Sequence, residues 1–243
     1  MSAGNQPKPE SWDEATDLRR FWWIVPPLTF ALLTAGVIWL TGTLRPEQGL
    51  RQRAEEVHQV FPVTGATRIV VENISGDVTV RAGDPNEVDV TVQRQGIGAT
   101  ELMAFDSLGR LQLRMEYEGD QLTISTFEDP PAEIAGGTRA QITIRVPRLS
   151  AVDIVTGSGA ILVAGIDGDV SARVPHGSID LGLSPDLSFR LKVSGLRLTT
   201  DFSIVAEAGQ SLTSFAGTVG PNPTRTMLLA APNGEILVRR APG

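Results

Sequence analysis

The sequence predicts an all-β fold: a β-solenoid-like domain, a coil of the parallel β-helix type, preceded by a single transmembrane helix. Three observations predict it. Residues 21–44 carry no charge, apolar residues alternate with polar ones from Arg68 onward, and a Gly-x-apolar-x-apolar unit recurs down the chain. The composition agrees. The chain has 243 residues, with Lys plus Arg 21 against Asp plus Glu 28, a formal charge of −7. An acidic chain lacks the basic face that duplex nucleic acid requires, so nucleic acid is not an expected partner. Apolar residues at 41% suffice for a core, and 25 Gly with 16 Pro are too many for a helical bundle. With no cysteine, disulfides, thiolate metal sites and Cys nucleophiles are excluded together.

Residues 1–20 form a short polar tail, mixing Lys8, Arg19 and Arg20 with Glu10, Asp13, Glu14 and Asp17. The uncharged run Phe21–Leu44 follows. At about 1.5 Å per residue it reaches about 36 Å, enough for a hydrocarbon core of about 30 Å. Trp22, Trp23 and Trp39 lie towards its two ends, where interfacial aromatics belong. The run is longer than a signal-peptide core, and no clear small-x-small site follows it, so an uncleaved anchor is expected. Lys8, Arg19 and Arg20 on one side balance Arg45, Arg51 and Arg53 on the other. The Arg pair abutting the helix tips the expectation towards a cytoplasmic N-terminus, with residues 45–243 outside the cell membrane.

Residues 45–64 are expected to be a juxtamembrane helical stalk, because Leu50, Ala54, Val57 and Phe61 fall at helical spacing. Residues 65–243 form the β domain. Val88, Val90 and Val92 alternate with polar residues, as do Leu111, Leu113, Met115 and Tyr117, and Ile142, Ile144 and Val146. The Gly units are Gly76-Asp-Val78-Thr-Val80, Gly159-Ala-Ile161-Leu-Val163, Gly168-Asp-Val170-Ser-Ala172, Gly177-Ser-Ile179-Asp-Leu181 and Gly234-Glu-Ile236-Leu-Val238. With the weaker units at Gly195 and Gly217, the intervals from Gly159 are 9, 9, 18, 22 and 17. A short period with Gly at the corner fits a coil whose units stack. A β-sandwich also has turns every 8–12 residues and stays open as an alternative. Val78, Val80, Ile161, Val163, Val170, Ile179, Leu181, Ile236 and Val238 are expected in one core. An irregular insertion near 97–137, with Asp129-Pro130-Pro131 and Gly136-Gly137, interrupts the period and is expected to hold a hairpin with loops. No helix is expected in the β domain.

Ile74-Ser-Gly-Asp-Val-Thr-Val80, Ile142-Thr-Ile-Arg-Val-Pro147, Gly159-Ala-Ile161 and Gly168-Asp-Val170 resemble the bacterial putative-adhesin family, also called toastrack. The resemblance covers about residues 65–243. It implies a β-solenoid-like domain on a membrane anchor, of the kind associated with envelope-stress and cell-surface modules. It implies no catalytic residues.

The residues themselves select no catalytic, cofactor or metal site. The two histidines, His58 and His176, are isolated, and Gly157-Ser158-Gly159 lacks the spacing of a nucleophile elbow. Leu162 stands where a dinucleotide loop needs its third Gly. Asp77, Asp167, Asp169 and Asp180 lie at or beside the Gly corners, and Asp167-Gly168-Asp169 has oxygens that Ca²⁺ could use. Asp beside Gly is also ordinary turn chemistry, and solvated turns are the expectation. The expected function is a non-enzymatic, membrane-anchored binding or scaffold module outside the membrane. It would contact the bilayer through residues 21–44 and bind a protein or an envelope polymer. The alternative is a β-helix protein that binds or degrades surface polysaccharide.

Overall fold

A computed structural model describes residues 49–129, 137–207, 211 and 213–241. The expected transmembrane helix at 21–44 and the polar tail lie outside these residues. No helix among the described residues is long and apolar enough to cross a membrane. Leu50–Gly243 makes one compact unit.

Among the described residues the unit is all-β with one helix. The chain runs β1 (Arg51–Pro62), β2 (Arg68–Asn73), β3 (Val78–Ala82), β4 (Glu87–Gly98), α1 (Glu101–Arg110), β5 (Leu111–Glu118), β6 (Gln121–Glu128) and β7 (Gly137–Val146). It continues through β8 (Ala151–Thr156), β9 (Ser158–Ala164), β10 (Val170–Arg173), β11 (His176–Leu183) and β12 (Phe189–Thr200). It ends with β13 (Val205–Ala206), β14 (Ser214–Val219) and β15 (Arg225–Arg240).

Fifteen strands join in one sheet whose two halves meet at β15. In one half, β6, β2, β8, β10, the first part of β15 and the first part of β12 stack in parallel. In the other half, β7, β3, β9, β11, the second part of β15 and the second part of β12 do the same. We call these columns A and B. Each coil is one strand of A, a corner, and the following strand of B. Column A carries the rung Leu122, Ile69, Val152, Val170, Met227 and Leu191, and column B the rung Ile142, Val78, Ile161, Ile179, Ile236 and Leu198. All but Leu198, which is partly buried, are fully enclosed in a single hydrophobic cluster fed by both columns. The sheet therefore turns back around its core, as a nearly closed barrel and not as a clearly open coil. All nine core positions expected from the repeat are in that cluster. Alternation explains this, since successive side chains of a strand point to opposite faces.

The intervals of nine have a simple meaning. Gly159 and Gly177 pair across column B, whereas Gly168 stands at the start of column A's β10. Nine residues are half a coil, and eighteen a whole one. Gly76, Gly159, Gly177 and Gly234 line up at one corner. A Cβ on each would stand 2.2, 2.4, 1.7 and 1.7 Å from the carbonyl oxygen of Ala140, Gly76, Gly159 and Gly177 respectively. Backbone stacked on backbone leaves no room there for a side chain.

Three expectations are corrected. Residues 51–62 are not a helical stalk but strand β1, antiparallel to β4 over twelve paired residues. Pairing along β4 covers the open backbone edge of that strand, whereas a short, lone helix with little to pack against is marginal in water. The region near 97–137 is more regular than an irregular insertion. It contains the antiparallel hairpin β5–β6, as expected, and also α1, which was not. Finally, the coils do not stack in chain order. The β6–β7 coil lies outside β2–β3, and β15 lies between β10–β11 and β12. Antiparallel strands finish the columns: β5 and β14 on A, β4 and β1 on B.

Candidate interaction surface

Outward-facing residues are in register just as the core residues are. Column B presents Thr143, Thr79, Leu162, Asp180, Leu237 and Thr199 as one rung. Column A presents Thr123, Val70, Asp153, Ser171, Leu228 and Lys192. None of these is buried. With strands about 4.8 Å apart, each rung is a continuous row of short polar and apolar groups about 24 Å long along the sheet. A shallow groove on column A is lined by Arg68, Asp153, Asp169, Ser171 and Thr226, with Arg68 Nη2 3.9 Å from Asp153 Oδ2.

The corner acids hold the coils to one another. Asp77 Oδ1 accepts a hydrogen bond from the Ala160 backbone N–H at 2.9 Å and also faces Arg139 Nη2 at 3.3 Å. Asp169 Oδ1 accepts from the Thr226 N–H at 2.8 Å. These two residues act alike, since each follows a corner Gly and receives a backbone donor from the neighbouring coil. Asp167 accepts from Arg148 Nε at 2.5 Å and from Ser184 Oγ at 2.8 Å. Asp180 binds Arg239 with both oxygens, at 2.8 Å each. The four acids thus have four separate sets of partners. Among the described residues no three His, Asp or Glu side chains gather as a metal site would require.

The other singled-out residues are equally dispersed. His58 lies on β1 with Nε2 2.7 Å from Asp89 Oδ1, and His176 opens β11 opposite Ser158. Ser158 belongs to a polar seam inside the corner, its Oγ 2.9 Å from Ser75 Oγ. The centre of that seam was not evident in the sequence. Buried Asn73 donates to the carbonyls of Ala140 (3.0 Å) and Gly76 (3.3 Å) and accepts from Thr126 Oγ1 at 2.7 Å. Its signal was Asn just before a Gly corner, where a side-chain amide can serve backbone groups that leave the ladder. The seam joins coils, and Asn73, Thr126 and Thr156 within it are closed to solvent. The outer faces of the columns remain open to a ligand.

No protein-family model matches the chain, and no curated protein does. Solved structures do. A structure described as a putative cell adhesion protein from Clostridium sporogenes is matched over 77% of this chain and 100% of that one, at 10% identity and a TM-score of 0.52. A putative adhesin from Bacteroides fragilis is matched over 76% of this chain and 97% of its own, at 9% identity, with a TM-score of 0.23. A putative lipid binding protein from Parabacteroides distasonis is matched over 54% and 55%, at 12% identity and a TM-score of 0.27. Of these three, the first alone has a TM-score high enough to bear on the architecture, and at its identity it speaks to the fold alone. Over the matched 77% the chain shares its fold with a bacterial protein described as a putative cell adhesion protein.

Proposed function

We propose that this chain is a non-enzymatic binding and scaffold module of the putative-adhesin kind, anchored by a single span at residues 21–44, with residues 45–243 outside the cell membrane. Its two columns are read as a β-solenoid-like winding with permuted end coils. The observation that carries the proposal is the in-register outer rungs on a rigid ladder. An in-register row of side chains held by the sheet suits docking onto an extended protein or polymer, because little conformational freedom is lost on binding. The fold shared with the Clostridium protein supports the same direction. The polysaccharide-degrading alternative needs two carboxylates converging on one bond. The four corner acids do not supply that pair, each being engaged with its own partners.

Two measurements test this. Protease added to intact cells should remove a C-terminal tag, and a tag reached only after lysis overturns the orientation. A photo-crosslinking residue placed at Asp153 or Thr79 should yield a discrete adduct on intact cells. The same residue on the non-columnar strand β13, at Val205, should not. Equal adducts from both sites overturn the outer rungs as the binding surface.

A further inference from the structure

We propose that helix α1 rests on the lipid bilayer, with Leu102 and Phe105 inserted at the headgroup–acyl boundary; this rests on the reading of residues 21–44 as a membrane span. The helix is held firmly from below. Thr100 caps it by accepting from the Met103 N–H, and buried Ala104 and Ser107 sit over β4. β4 has Gly96 and Gly98 at that place, where a Cβ would come within 2.1 and 2.6 Å of the helix backbone. Two glycines thus let α1 settle on the sheet by its backbone, and its largest apolar side chains are left outside. Leu102 is 78% exposed, Phe105 67% and Met103 47%. Leu102 and Phe105, three apart, share a face. The two acids of the helix are paired, Glu101 with Arg53 at 3.3 Å and Asp106 with Arg110 at 3.4 Å, so each negative charge has a cation beside it.

The chain that precedes the domain says what covers this face. Arg51, the first residue of β1, pairs with Gly98, two residues before the Thr100 cap. The last residue of the expected span, Leu44, is seven residues before Arg51. Seven residues reach at most about 25 Å. The tether therefore keeps the exposed helix beside a bilayer at high effective concentration. An apolar helix face so placed has the properties of an interfacial contact. Leu50, next to Arg51 where the tether begins, is itself 69% exposed.

The full chain has no cysteine, so single labels are clean. Phe105→Cys and, separately, Leu102→Cys would carry an environment-sensitive fluorophore in vesicles of phosphatidylcholine and phosphatidylglycerol. Part of the lipid would bear a doxyl group near the headgroup. Leu196→Cys, 65% exposed on β12, is the control. It lies about six strand spacings from β4, or about 29 Å. At least twofold quenching at 102 and 105, with none at 196, is the expected result. Quenching at 102 and 105 no greater than at 196 overturns the proposal while flotation of the chain with the vesicles upholds the anchor. A chain that fails to float overturns both. A label at 105 that shifts to the blue without quenching shows a second copy or another protein on the helix, and this too overturns the lipid contact.

Discussion

Replacing Gly177 by Ala probes the corner stack with one carbon atom. The added Cβ would stand 1.7 Å from the Gly159 carbonyl oxygen and 2.8 Å from its carbon. An ordinary carbon–oxygen contact needs about 3.2 Å, so coils that are about 4.8 Å apart must separate locally by about 1.5 Å. A backbone hydrogen bond near 2.9 Å does not survive that shift. Losing about two ladder bonds at about 1 kcal/mol each, plus about 1–3 kcal/mol of overpacking, gives a cost of about 3–5 kcal/mol. That is a large share of a typical domain stability of about 5–15 kcal/mol. Gly177 has no positive φ, so the penalty is contact and not backbone strain. Two controls separate the terms. Gly119 turns the β5–β6 hairpin with φ +63° and open space around it, so Gly119→Ala should cost about 1 kcal/mol from conformation alone. Gly109, in α1 with open space and no positive φ, should gain up to about 1 kcal/mol as Ala. Urea unfolding followed by far-ultraviolet circular dichroism reads all three. A Gly177→Ala loss of less than about 1 kcal/mol would falsify the stacking argument.

Three further changes have graded outcomes in the same assay. Asn73→Ala strips partners from the Ala140 carbonyl and the Thr126 hydroxyl inside the corner and should cost about 2–4 kcal/mol; a value near zero would mean that water enters the seam. Ile161→Ala, in the middle of column B's inner rung, should cost about 2–5 kcal/mol, and a smaller loss would show that neighbouring coils collapse into the gap. Asp180→Asn weakens a two-point contact with Arg239 that is partly open to water, so at most about 1 kcal/mol should be lost, and less in high salt. A large, salt-insensitive loss there would contradict its assignment as a surface pair.

Strand alternation made the core legible in the sequence, because burial on one face imposes a period of two wherever a strand covers that core. Val78 and Val80, Ile161 and Val163, and Ile236 and Val238 were readable for this reason. The Gly corners were readable too, since they mark places where two backbones touch. β1 was not. Leu50 just before it and its Ala54, Val57 and Phe61 mimic a helix face, yet only Phe61 among them is buried, and the segment is fixed by backbone pairing that leaves no periodic trace. α1 escaped because its buried face is only Ala104 and Ser107, too small to give an apolar stripe. The signals that could have found it are Thr100 as cap, Glu101 in the first turn and Arg110 in the last. The coil order was illegible because equivalent rungs with similar apolar residues can stack in any sequence. For the surface, the acids were visible but their partners were not: Asp77 with Ala160 spans 83 residues and Asp169 with Thr226 spans 57.

The place of β15 between β10–β11 and β12 has a consequence for how the domain is made. On a ribosome the chain emerges from its N-terminus, and β12 appears before the strand against which it must lie. Until residues 225–240 are available, the exposed edges of β10 and β11 and the whole of β12 lack their parallel neighbour. β15 acts as a keystone, laid into a slot between strands synthesised before it. Assembly of that part of the sheet must therefore wait until residues 225–240 have been released. A nascent chain stalled before Arg225 would display open strand edges, the kind of surface that chaperones cover and that aggregates exploit.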